Sequence, residues 1–319
     1  MLTGILAGLA AGALWGLVFV VPRITPGLSA VDVTAGRFIS FGAVSALAML
    51  WTLRARRLPS LQQAMAAVGM SLLGFTGYYL LLAQAIQDAG TEAPTLIIGT
   101  IPIWMVLLGK PLGLAWKSLA PGMVLTLAGL ALMMAANFGL DLPATDLQGQ
   151  VLAHGVTQTV PGLAHAAHPH YWRGIACALV GMLSWTAFGL INSAWLKRHA
   201  EVNATDWANW LGVATGLGAA GLWFAAGSDV KVLEALDNRA YLAAICIVTG
   251  VGSAWLATIL WNVASQRLSA SLCGQMIVAE TVFALAYSYA WDAQWPGALQ
   301  VTACVLFIVG ILASIRAHQ

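Results

Sequence analysis

Residues 79–90 read YLLLAQAIQDAG, and residues 258–269 read TILWNVASQRLS. Laid over one another at a constant offset of 179, residues 77–108 and 256–287 align without a gap. Ala85 falls on Ala264, Gln87 on Gln266, Ile98 on Ile277, Ile103 on Val282 and Trp104 on Phe283. Further echoes flank this one. Gly4-Ile5 with Trp15 matches Gly174-Ile175 with Trp185 at offset 170, and Ser29-Ala30-Val31-Asp32 matches Asn203-Ala204-Thr205-Asp206 at offset 174. Apolar helices align with almost anything, so each echo alone is weak. In order along the chain they favour a duplication.

The segments being repeated are apolar. Of 319 residues, 60% are hydrophobic and 8% charged, against roughly 25% charged in a soluble domain. So few charges exclude a soluble enzyme, a disordered chain and a nucleic-acid binder. A helix needs roughly 20 mostly apolar residues to cross a bilayer. Ten such stretches stand between the charges: about 3–21, 32–53, 61–84, 93–114, 118–137, 174–196, 205–226, 240–261, 270–291 and 296–315. The first lacks a basic leader and is read as a span rather than a cleaved signal. Strand-type alternation over ten-residue units is absent, which argues against a membrane barrel.

The expectation is therefore an all-α membrane protein with ten transmembrane helices in two five-helix repeats. Residues 1–137 form the first, 138–173 a long extracytoplasmic loop, and 174–319 the second. Five is odd, so the second copy enters the membrane inverted. Secondary transporters are commonly built this way, with substrate sites near the midplane between the repeats. With the N-terminus cytoplasmic, the cytoplasmic segments hold nine basic residues (Arg54, Arg56, Arg57, Lys110, Lys117, Lys197, Arg198, Arg267, Arg316). The other side holds four (Arg23, Arg173, Lys231, Arg239). Both termini are expected inside.

Several motifs add a family resemblance. They are ALWGxxF at 13–19, Arg37 in the second span, AxxxxGTEAP at 85–94 leading to IPI at 101–103, and LSAS at 268–271 leading to AETVFA at 279–284. Together these resemble the EamA-type branch of the drug/metabolite transporter (DMT) superfamily, and within it the chain is similar to amino-acid exporters of the YddG kind. The resemblance implies ten helices, cytoplasmic termini, an inner-membrane location and a small metabolite as cargo. Where the family often carries Glu-Pro, this chain has Glu280-Thr281, so the kink that the resemblance implies for the ninth span lacks its proline.

Candidate substrate contacts are the aromatics near the repeat centres (Trp15, Tyr78, Tyr79, Trp104, Trp185, Trp261) and the polar Asn192 and Asn262, with Gln84 nearby. Such a lining suits an uncharged, aromatic or zwitterionic molecule. Each tryptophan also has a packing or lipid-facing reading. Trp51, Trp116, Trp195, Trp291 and Trp295 fall at span ends and read as interfacial belt residues. Glu280, mid-span, is costly in lipid; it is either a partner for a proton or a substrate ammonium, or a tie between helices. Arg37 either faces the pocket and holds a carboxylate, or snorkels or caps backbone carbonyls near the outer interface. Gly4, Gly8, Gly12 and Gly16 form a seam for close helix approach, and Pro102 is expected to kink the fourth span.

The 138–172 segment carries His154, His165, His168 and His170 in no standard zinc spacing, and Cys177, Cys246, Cys273 and Cys304 read as free thiols. No metal site and no cofactor are expected. The segment GKP at 109–111 is not a nucleotide-binding loop, and no HExxH or GxSxG is present. No catalytic residues are assigned. The leading expectation is a secondary exporter of small hydrophobic or aromatic metabolites, amino acids first, with the bilayer as surroundings and protons as the coupling ion. The alternatives are a passive facilitator and a membrane-embedded enzyme using the histidine-rich loop.

Overall fold

A computed structural model describes residues 1–25, 27–52, 58–90, 92–137, 170–293 and 295–319. The histidine-rich loop, apart from His170, lies outside the described residues. The described residues are helical and contain no strand. The first part of the chain forms α1 (Leu2–Gly16), a 3-10 turn (Leu17–Phe19), α2 (Val21–Ile24), α3 (Ala30–Thr52), α4 (Leu61–Gly74), α5 (Thr76–Ala89), α6 (Glu92–Gly99), α7 (Ile101–Leu108) and α8 (Trp116–Asn137). The second forms α9 (Tyr171–Arg198), α10 (Ala204–Ala226), α11 (Val230–Glu234), α12 (Arg239–Thr249), a π turn (Gly250–Leu256), α13 (Ala257–Arg267), α14 (Ala270–Asp292) and α15 (Ala298–Ala317).

Among the described residues, eight helical segments are long and apolar enough to cross a membrane. Residues Ala93–Leu108 are apolar but shorter. The fourth expected span is broken at Thr100, where Pro102 opens α7 at its second position, because proline cannot donate to the preceding turn. The corresponding ninth span has no proline and runs unbroken as α14. Residues 204–226, expected as the seventh span, form one 23-residue helix that is outside those eight. Its buried face carries Asn209 and Thr215; a helix enclosed by neighbours is freed from the need for uniform apolarity.

Two more interruptions lack a proline. Phe75 (φ −128°, ψ −94°) separates α4 from α5, and the π turn separates α12 from α13. At the 179-residue offset Phe75 falls on Ala254, inside that turn.

Small residues set the helix contacts. A Cβ on Gly4, Gly8 or Gly16 would lie 2.9 Å from Leu268, Met276 or Ala284, and one on Gly12 would lie 3.1 Å from the Glu280 nitrogen. The glycine seam thus lays α1 along α14, in parallel. On α3 and α10, a Cβ on Gly42 would lie 2.7 Å from the Gly216 Cα, and the reverse holds. Gly212 faces Phe41 and Ser45, so these two helices run antiparallel. Gly122 faces Ser314 while Gly310 faces Thr126, making α8 and α15 antiparallel as well.

The outside of the bundle is apolar. Trp51, Phe224, Leu217, Leu47 and Leu112 are exposed, far more than a water-soluble surface carries. Trp51, Trp116, Trp291 and Trp295 are exposed at helix ends, as belt residues should be. Trp195 is not. Its ring stacks between His199 (4.2 Å) and Trp207 (3.7 Å), because α10 brings a second indole to the end of α9.

Candidate substrate site

Trp15 ends the glycine seam of α1, Trp185 sits midway along α9, and Trp261 lies on α13 behind the π turn. Their rings meet at the centre of the bundle. Trp15 is 6.3 Å from Trp185 and 5.4 Å from Trp261, and Trp185 is 5.9 Å from Trp261. From Trp185 a continuous aromatic path runs through Phe188 (5.8 Å), Phe75 (5.4 Å) and Phe38 (6.0 Å) to Tyr79 (5.0 Å) and Tyr78 (5.2 Å). Most are edge-to-face contacts, the arrangement aromatic quadrupoles favour. Five of the candidate aromatics therefore belong to one assembly.

Two charges adjoin it. Arg37 is 3% exposed, so it does not snorkel. Its guanidinium carbon lies 5.5 Å from the Phe38 ring centre and 5.9 Å from that of Tyr79, and its Nε has no hydrogen-bond partner. Glu280 is half-buried where Gly12 lets α1 touch the α14 backbone. It lies within electrostatic reach of Arg37 and of Tyr78. Among the described residues, the one ion pair within 4.0 Å lies elsewhere, between Arg173 and Asp88.

Asn192 and Asn262 occupy a different place. Both are fully buried. Asn192 Nδ2 donates to Asn262 Oδ1 (3.1 Å), its Oδ1 accepts from the Trp207 indole (2.6 Å), and Asn262 Nδ2 donates to the Ala204 carbonyl (3.4 Å). Gln266 donates to the Val202 carbonyl (3.0 Å) and Ser193 to the Ser265 carbonyl (3.3 Å). These bonds fasten α9, α10 and α13 together at one end of the bundle.

Trp104 is 40% exposed and donates to Thr100 Oγ1 (3.2 Å); it touches none of the other candidate rings. Gln84 donates to Asp88 (2.9 Å), which holds Arg173 in a bidentate pair (2.7 and 2.8 Å). A separate cavity of about 390 Å³ lies between α3, α10, α11 and α12, lined by Asp32, Gly36, Trp223, Leu236, Arg239 and Cys246. Among the described residues, no three His, Cys, Asp or Glu side chains converge as a metal site would require.

Sequence reasoning does not single out Phe38, Phe75, Phe188 or Trp207. Aromatics in long apolar helices look alike whether they face lipid or a neighbour. The available signals are adjacency for Phe38, next to Arg37, and the flanking Gly74 and Gly77 for Phe75.

Fold and site together define a multi-helix membrane protein with a central aromatic cluster and two unpaired charges. Comparison with known proteins agrees with that class. Residues 2–135 match the EamA-like transporter family. The whole chain is similar to the inner membrane protein YtfF of Escherichia coli (strain K12), with 28% identity over 330 residues, covering 99% of this chain and 96% of that protein. A solved structure, titled only as the crystal structure of a protein, shares the fold with a TM-score of 0.73 at 18% identity, covering 99% of this chain and 98% of the other. The likeness to a transporter family and the apolar helices support a multi-pass membrane transporter rather than an enzyme.

Proposed function

We propose that the protein is a secondary transporter exporting small hydrophobic or aromatic metabolites, amino acids first among them. Residues 1–137 and 174–319 act as two inverted five-helix repeats that rock about a central site to give alternating access. One observation carries this reading: contacts between the halves are reciprocal under the sequence offsets. Gly42 and Gly216, 174 residues apart, face each other. Gly122 meets Ser314 as Gly310 meets Thr126, at offset 188. Gly4 meets Leu268 as Gly174 meets Ala89, at offsets 170 and 179. Trp15 meets Trp185. Contacts that exchange in this way support a two-fold relation between the halves, and the antiparallel run of α3 against α10 and of α8 against α15 supports an inverted repeat.

The rings of Trp15, Trp185 and Tyr79 offer apolar faces to a planar or aliphatic cargo, and Tyr78 and Glu280 supply polar orientation. Trp261 completes the same ring cluster, Asn192 and Asn262 brace the second half beside it, and Trp104 joins the site only when the halves move. Glu280, a half-buried carboxylate without a fixed partner, is the group for proton coupling. The excess of Lys and Arg supports a cytoplasmic position for both termini, and the inner-membrane relative supports the same membrane here. Flux of a labelled amino-acid panel from proteoliposomes is the test. Folded protein that moves no member removes the amino-acid claim.

A further inference from the structure

Among the described residues, the buried Arg37 cation makes no ion pair within 4.0 Å. Burying a charge without a fixed partner costs far more than leaving it in water. The carboxylate on its own helix, Asp32, is already taken. Asp32 accepts from the Ser29 hydroxyl (2.6 Å), the Ser228 hydroxyl (2.6 Å) and the Ser228 amide (2.9 Å). The other charged neighbour, Glu280, forms no bond to Arg37. The remaining groups around Arg37 are the ring faces of Phe38 and Tyr79 and the Cys246 thiol. Aromatic faces hold the cation in place and leave its Nε donor without an acceptor. An aromatic wall beside a buried guanidinium with an open Nε donor matches an aromatic or apolar tail next to a carboxylate, which a guanidinium binds through parallel hydrogen bonds.

We infer that Arg37 is the anion receptor of the central site: it takes the carboxylate of a small aromatic or apolar acid beside the rings of Phe38 and Tyr79. The assignment rests on the transporter reading above, which it narrows to cargo bearing an acid group. Tyr79 doubles as a wall for the tail and a positioning residue for the cation.

The test is calorimetric titration of the full-length, detergent-solubilised protein with 3-phenylpropionate and with 3-phenylpropionamide, which differ only in the anionic group. The acid is expected to bind at least ~10-fold tighter, the range of a charge-assisted pair. Arg37→Gln should remove that preference while leaving the amide's affinity in place, and Arg37→Lys should keep part of it. Equal affinity of the wild type for acid and amide, binding of neither, or an equal loss for both ligands in Arg37→Gln overturns the assignment. The wild-type comparison decides the matter even if Arg37→Gln fails to fold. Acid-selective binding without flux in proteoliposomes would keep the receptor and remove the transporter reading.

Discussion

The Asn192 cluster and the Arg37 cluster sit in one bundle, and Asn192, Asn262 and Arg37 are all nearly inaccessible, yet they are built on opposite principles. At Asn192, side-chain donors and acceptors meet one another or a backbone carbonyl. At Arg37 the cation is held by ring faces, and its Nε is left without an acceptor. Satisfied polar groups rigidify a core, whereas an unsatisfied one of the same burial is costly unless something arrives to meet it. The first cluster is a clamp between α9, α10 and α13, and the second holds a cation with an open donor. The seam of small residues between α3 and α10 is a third kind of region, where packing alone decides.

Four substitutions separate these roles. The largest effect is expected at the seam. Gly216→Val puts side-chain atoms where the Gly42 Cα already lies, and overpacking of this kind costs about 3 kcal/mol or more. The yield of monodisperse protein should collapse; normal yield would mean that α3 and α10 are not held this closely. Next comes the clamp. Asn192→Ala strands the Trp207 indole and an Asn262 carbonyl oxygen, a loss of about 2–3 kcal/mol. The melting temperature in detergent should fall while acid-over-amide binding survives. Loss of that preference with unchanged melting would reverse the roles given to the two clusters. Glu280→Gln should leave the fold intact and keep flux down a substrate gradient, but abolish its response to an imposed pH gradient. A response that persists clears Glu280 of coupling. The smallest effect belongs to Arg173→Ala, which removes the bidentate pair with Asp88. Because the Arg173 side chain is half exposed, water and salt already screen the pair, so the shift in melting should be slight and smaller still at high salt.

Some of this was legible before any coordinates. Charge spacing located the helices, the Gly4–Gly16 seam announced a close approach, and Pro102 announced the break at Thr100. Thr281 in place of proline accounted for the continuous α14. These succeed because each depends on a local property: a missing side chain, a missing N–H, or a run without charge. Trp195 failed for the opposite reason. Its position at a span end is what a belt residue has, and its burial depends on Trp207 arriving from another helix. The breaks at Phe75 and at Gly250–Leu256 carry no proline and were likewise invisible.

By itself the sequence determined that the chain forms apolar helices long enough to cross a membrane, since hydropathy is a property of the string. The tertiary structure alone decided which buried polar residues are clamps and which are open. Asn192, Asn262, Arg37 and Glu280 read alike as polar residues in apolar runs. Whether each finds a hydrogen-bond partner depends on atoms contributed by distant helices.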